Sequence, residues 1–208
     1  MNNFLLAILS GILLAFSWPG IGLYILIFIA FVPLLIFESN VKNSKYIFWG
    51  AFLSFFIFNV ITTYWVYYAT SLGAIAAFLV NAFLMAIIFW LFHKIKSLSS
   101  NTLGYFSLIP MWIAMEYFQL QWDLSWPWLI LGNVFANVPI LVQWYEFTGF
   151  LGGSFWVVLI NILFFMLYQY DNKKKKIWVL LFSLFIPIII SVYMYFTYKP
   201  SPDVNVLI

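Results

Sequence analysis

The placement of lysine is the feature that most constrains this chain. It has nine lysines and no arginine, and they cluster at a few turns. Around those turns run seven apolar segments: Phe4 to Ser17, Ile21 to Phe37, Tyr46 to Tyr68, Leu72 to His93, Leu103 to Leu120, Phe150 to Tyr170 and Ile177 to Thr197. A membrane-crossing helix needs about 20 mostly apolar residues, with roughly 17–25 as the usual range. Strands of a membrane barrel would alternate apolar and polar residues, whereas these segments are apolar all round. The expected fold class is therefore all-α: a polytopic membrane helix bundle of about seven transmembrane helices.

Orientation follows from the same residues. With the N-terminus cytoplasmic, the turns after the second, fourth and sixth segments lie inside. They hold Lys42 and Lys45, then Lys94 and Lys96, then Lys173, Lys174, Lys175 and Lys176. The turns after the first, third and fifth segments hold none. Eight of the nine lysines fall on one side, as the positive-inside rule requires, and only Lys199 falls outside with the C-terminus. The first segment has no basic residue before it and no small-x-small cleavage site, which argues against a removed signal peptide. Trp18-Pro19-Gly20 instead suits the turn of a tight helical hairpin.

Composition excludes the other classes. Of 208 residues, 66% are hydrophobic and 7% are charged, whereas a soluble domain is about a quarter charged. Disordered chains are poor in apolar residues. With no cysteine there is no disulfide, thiolate metal site or cysteine nucleophile. One histidine without cysteine builds no metal constellation, so no metal site is expected. GxSxG, P-loop, HExxH and Rossmann glycine patterns are absent, as is any nucleic-acid patch.

The connection from Gln121 to Gly149 carries the most chemistry. Pro127 and Pro139 punctuate it, and Trp128-Leu129-Ile130-Leu131 and Ile140-Leu141-Val142 are too short to span a membrane. They fit half-helices or an interfacial helix. Non-helical backbone at membrane depth must be satisfied by protein or a wet cavity, so a cavity open to the outer leaflet is expected, able to admit a lipid tail. Glu116 stands inside the fifth segment, either as a functional carboxyl or as a hydrogen bond to a neighbouring helix. Asp123 and Glu146 read as headgroup-level acids or as site residues. Tyr64, Trp65, Tyr67, Tyr68, Trp122, Trp126, Trp128, Trp144 and Tyr145 suit an outer aromatic belt. His93, beside Lys94 and Lys96, reads as interfacial. Asn59, Asn81 and Asn161 read as helix–helix hydrogen bonds. Gly149, Gly152, Gly153 and Ser154 read as a small-residue face at the start of the sixth helix.

Several of these residues form an ordered set. Trp112-x-x-x-Glu116 is followed by Pro127-Trp128-x-x-x-Gly132, Pro139, Gln143, Thr148-Gly149, Gly152, Ser154-Phe155 and Asn161. Upstream stand Leu14-Ala15-Phe16-Ser17-Trp18-Pro19, Gly50 and Tyr64-Trp65. The set resembles the membrane domain of bacterial apolipoprotein N-acyltransferases along essentially the whole chain. Gln119, Asn133 and Trp126 depart from it, standing where that family often has Arg, Tyr and Phe. The resemblance implies a multi-pass protein of the bacterial inner membrane with a periplasmic C-terminus. It implies transfer of an acyl chain from a phospholipid to the N-terminal amine of a diacylglyceryl-cysteine lipoprotein, with no cofactor.

In that family the catalytic Glu, Lys and Cys lie in a nitrilase-like domain after the seventh span, and one more span follows it. None of the three can be placed on this sequence, so no catalytic residue is assigned. The expected organisation is a helical domain over 1–198, then a linker and the start of a nitrilase-like domain over 199–208. That makes the chain a fragment or one half of a split enzyme, inactive alone, whose nitrilase-like partner is supplied in cis or in trans. The resemblance places the seat for the phospholipid donor, the diacylated lipoprotein acceptor and membrane lipid among Glu116, Trp126, Pro127, Trp128, Gly132, Gln143, Glu146, Gly149, Gly152 and Ser154. The alternative is a self-contained small transporter or scaffold protein. It would be favoured by inverted repeats, and the sequence has no such symmetry.

Overall fold

Proline decides where the apolar runs are interrupted. The computed structural model describes residues 3–99, 101–123, 125–169 and 173–198; the expected linker and domain start over 199–208, with Lys199, lie outside the described residues. Helix α1 (Asn3–Ser17) ends at Trp18-Pro19, where the N–H groups of Ile21 and Gly22 both donate to the Trp18 carbonyl at 2.9 and 2.7 Å. The second apolar run is divided into a 3₁₀ turn, Tyr24–Phe28, and α2 (Val32–Asn40). Pro33 lacks an N–H, and its ring would meet the Ile29 carbonyl in a continuous helix. It sits in the first turn of α2, where both defects are harmless.

The break leaves backbone groups without helical partners, and one side chain from far along the sequence supplies them. The Asn161 Oδ1 accepts the Phe31 N–H at 2.8 Å, while its Nδ2 donates to the Ile27 carbonyl at 2.7 Å and to Val157 at 2.8 Å. Asn161 thus makes the helix-to-helix bond expected of it, as a clamp on an interrupted helix.

Helix α3 (Ser44–Thr63) is capped by the Asn43 side chain, which accepts the Lys45 N–H at 3.0 Å. The short α4 (Val66–Ala69) leads into α5 (Ser71–Leu98), capped by Thr70. The fifth apolar run is split into α6 (Asn101–Phe106) and α7 (Leu108–Gln121), because Pro110 cannot extend a helix through the Phe106 carbonyl. Helix α8 (Tyr145–Gln169) bends sharply at Gly149, whose φ of 63° and ψ of −176° suit only glycine. Helix α9 (Lys173–Thr197) runs through Pro187. The Ser183 carbonyl that Pro187 releases accepts the Trp156 indole N–H at 2.8 Å.

Among the described residues, Ser44–Thr63, Ser71–Leu98, Tyr145–Gln169 and Lys174–Thr197 are long and apolar enough to cross a membrane. Asn3–Ser17 and Tyr24–Asn40 are shorter apolar segments. The bundle is all-helical in the expected order, with the first, second and fifth segments shorter or broken. Its interior is aromatic. Phe31, Phe55 and the fully buried Trp112 pack with centroids 5.0 and 5.4 Å apart, and Phe28, Phe135 and Trp156 form a second cluster.

The lysine-bearing turns share one end. There Ser44, next to Lys45, accepts the Trp90 indole N–H at 2.6 Å. Tyr105 of α6 packs tilted on Phe165, near the C-terminal end of α8, with centroids 4.7 Å apart. The opposite end gathers Trp65 against Trp128, Asn137 against the Pro19 carbonyl, and Gln143 against Ser191.

Candidate functional site

At the end opposite the lysines, the connection between α7 and α8 folds inward. It forms three short 3₁₀ turns, Pro127–Leu129, Leu131–Phe135 and Pro139–Leu141, rather than half-helices. Leu129 through Gly132, Val134 and Phe135 are buried. Turns of so few residues satisfy little of their own backbone, so side chains must complete them. Trp112 and Glu116 lie four apart on one face of α7, and the Trp112 indole N–H donates to the Glu116 Oε1 at 3.0 Å. The same oxygen accepts the Leu131 N–H at 2.8 Å. The next N–H, that of Gly132, donates to the Ser154 hydroxyl of α8 at 3.0 Å, and the Gly132 carbonyl accepts the Tyr145 O–H at 2.9 Å. Asn133 closes the turn by donating to the Pro127 carbonyl at 3.0 Å.

Three of the ten seat candidates, Glu116, Gly132 and Ser154, therefore meet at one buried knot. They hold the loop and do not line an open cavity at Glu116, which is wholly buried. Of the two readings open for Glu116, the hydrogen-bonded one describes the geometry, with the partner a loop N–H as well as a neighbouring side chain. Expected outcome: Glu116→Ala leaves the Leu131 and Trp112 donors buried without an acceptor, at about 1–3 kcal/mol each, whereas Glu116→Gln keeps a carbonyl oxygen and loses less. Because the chain has no cysteine, a single Cys replacing the buried Val134 reports the change. It should react faster with maleimide in the alanine variant than in the glutamine one.

The other candidates are spread over separate cavities. Trp126 lines a cavity of about 430 Å³ with Asn81, Trp122 and Asp123 on the α5 side. Trp128 lines one of about 720 Å³ with Trp18, Thr62 and Trp65. Gln143 and Glu146 line a third, of about 660 Å³, with Gly132, Tyr145 and Tyr198. Gly152 faces a fourth, of about 570 Å³, with Trp144 and Pro187. Pro127 opens the first 3₁₀ turn. Gly149 is the bend of α8 rather than part of a flat small-residue face. Gly153 packs on the Gly132 Cα, which a side chain at Gly153 would meet at 2.9 Å.

Two groupings were not legible as such. Asn59, Asn81 and Gln119 form a buried ladder across α3, α5 and α7. Gln119 donates to Asn81, and Asn81 donates to the Asn59 Oδ1 at 2.7 Å. At the lysine end, the buried Glu38 of α2 takes the His93 Nδ1 at 2.5 Å and the Lys96 Nζ at 2.5 Å, with Tyr105 3.1 Å from Lys96. His93 is thus held by a buried carboxylate at the lysine end, with part of its ring still exposed. The available signal was an acid and three polar partners sited at the same end of the second, fourth and fifth apolar runs.

A bundle with four membrane-length helices, an inward-folded loop at one end and cavities of about 430–720 Å³ around that loop defines a multi-pass membrane protein. Its family is shown by comparison with known proteins. The model of the apolipoprotein N-acyltransferase N-terminal domain matches residues 10–163, and the chain belongs to that acyltransferase family. An apolipoprotein N-acyltransferase of Chlorobaculum tepidum is 32% identical over 169 residues, covering 80% of this chain and 32% of the relative. Those of Geobacter metallireducens and Borreliella burgdorferi are 29% and 25% identical, over 79% and 76% of the chain and 33% and 31% of the relatives. The chain thus spans about a third of the length of these relatives.

Proposed function

We propose that this chain is the membrane domain of an apolipoprotein N-acyltransferase of the bacterial inner membrane, with the N-terminus cytoplasmic and the loop-bearing end periplasmic. Its task is to seat a phospholipid acyl donor and a diacylated lipoprotein acceptor beneath a nitrilase-like domain, in cis or in trans. That domain moves the acyl chain onto the N-terminal amine of the diacylglyceryl-cysteine. The observation that carries the reading is the anchored loop. Trp128, Gln143 and Glu146 line cavities at the end of the bundle opposite Lys42, Lys45, Lys94 and Lys96.

The part these residues play is positional. Trp128, packed edge-on against Trp65 at 5.3 Å, presents a ring to a lipid in the bilayer interface. Gln143 and Glu146 offer polar groups to the headgroup or peptide. The knot of Glu116, Ser154 and Tyr145 keeps the loop from collapsing into the space the lipids need.

The test uses a strain depleted of its own enzyme and mass spectrometry of lipoprotein N-termini. Expressed alone, the chain is expected to leave lipoproteins diacylated, and fusion to a relative's nitrilase-like domain is expected to restore the third acyl chain. A third chain added by this chain alone would overturn the division of labour, and failure of the fusion would overturn the family activity. Orientation is read in the same cells: an impermeant thiol reagent should label Glu146→Cys from outside and leave Ser97→Cys untouched.

A further inference from the structure

Two cavities on the α5 side share Leu84 in their walls. The one beneath Trp122 and Trp126 ends at Leu84, and a second, of about 330 Å³, begins at Leu84 and runs between Ile88, Met111 and Ala114 to Phe118. Together they make a groove between α5 and α7. From Gly73 to Ile88 it is about 22 Å long at 1.5 Å rise per residue. This covers the depth of one leaflet, about half of a hydrocarbon core of about 30 Å.

The walls favour one kind of occupant. The inner half is lined only by Leu, Ile, Met, Ala and Phe side chains. Small residues, Gly73, Ala76 and Ala77 on α5 and Ala114 on α7, set the floor below the exposed Leu72, Ile75, Leu79 and Phe83 of α5. A chain lying there is recessed rather than resting on the surface. The outer half carries donors short of acceptors. Asn81 is nearly fully buried; besides its bond to Asn59, its amide nitrogen has only the Met85 sulfur at 4.0 Å, a weak acceptor. Trp122 and Trp126 line the same wall, and their indole nitrogens are buried without a hydrogen-bond partner. Among the described residues lining the groove, Asp123, at its outer mouth, is the only charged group. An uncharged group that accepts but does not donate, at the head of a long apolar chain, is an acyl ester.

We infer that this groove takes one acyl chain of a bilayer glycerophospholipid lengthwise, entering sideways past α5, with its ester near Trp122 and Trp126 and its methyl end toward Met111. The inference deepens the proposed function and rests on it for the role of the bound lipid. Volume at Ala77 and Ala114 then sets how much chain is accommodated.

The test uses the full chain in vesicles of phosphatidylethanolamine and phosphatidylglycerol. These are doped with a phosphatidylethanolamine that carries a diazirine midway along one palmitoyl chain, and adducts are mapped by peptide mass spectrometry. Adducts should concentrate on Leu84–Ile88 of α5 and Met111–Met115 of α7. Ala77→Phe and Ala114→Phe should each cut that yield by at least about tenfold, since several buried methylenes are displaced. Adducts on the exposed Phe185 and Ile189 of α9 should stay constant as the internal standard. Groove adducts no more frequent than those on α9, meaning annular lipid only, would overturn the inference, as would a yield indifferent to both variants. Ala114 is exposed, so its variant carries the test if Ala77→Phe loses its monodisperse elution. Groove adducts without triacylation by the fusion would sink the proposed function alone, and triacylation without groove adducts would sink the groove alone.

Discussion

Replacing Gly132 with valine is expected to tear the inward loop from α8 and to abolish whatever lipid seating depends on it. The first carbon of any side chain at this position would collide with the Phe150 carbonyl oxygen, a backbone atom just after the α8 bend that has no rotamer to escape into. Gly132 cannot retreat either, because its own Cα already packs against Gly153. Overpacking of a tight site costs about 1–3 kcal/mol. Displacement then breaks the bonds from Gly132 to Ser154 and Tyr145 and from Leu131 to Glu116, adding about 1–3 kcal/mol for each group left buried and unpaired. Val134→Cys should become freely reactive in the valine variant, and triacylation by the fusion should fall to background. A protected thiol with normal triacylation would show that the loop tolerates a side chain there. Gly132→Ala should behave similarly, since the collision is with Cβ itself.

Glu38→Ala is the second large effect, at the other end of the bundle. The carboxylate is buried and faces two basic side chains, His93 and Lys96, each largely buried as well. Removing it leaves the Lys96 ammonium with only the Tyr105 hydroxyl and ring face, at 3.1 and 4.6 Å, among the partners named for it. Breaking a buried ion pair from one side costs roughly 3–5 kcal/mol, because the remaining charge is uncompensated. The low end applies here, about 3 kcal/mol, since Lys96 and His93 retain some exposure at the interface. The thermal midpoint of the detergent-solubilised chain should drop markedly. The double change Glu38→Leu with Lys96→Met should recover much of the loss, since an apolar pair of similar volume needs no partner. If the single variant unfolds with the parent, the cluster contributes nothing to stability.

The helical segments were legible because the signal is local. An apolar run of membrane length has no other low-energy backbone in lipid than a helix; the breaks at Pro33 and Pro110 appear only in the structure. The lysine pattern was legible for the same reason: charge at a turn is a property of that turn. The candidate site residues were legible only as a set of names. Trp128, Gln143, Glu146 and Gly132 line cavities, while Glu116 and Ser154 are bonded to the loop backbone at Leu131 and Gly132. Nothing in their spacing distinguishes a residue that touches lipid from one that holds its neighbour. Gly149 was expected as a small contact surface, and its positive φ, which spacing does not reveal, makes it a hinge.

The sequence by itself determined the class of the protein, the order of its helices and the gathering of eight of its nine lysines at alternate turns, because hydrophobic length and charge act on each segment independently. Tertiary structure alone decided which buried polar groups satisfy one another. Asn161 closes a break 130 residues upstream, and Glu116, Ser154 and Tyr145 hold the backbone of Leu131 and Gly132. Only the packed bundle brings such distant residues within the roughly 3 Å a hydrogen bond requires. In lipid no water can satisfy the group that is left over.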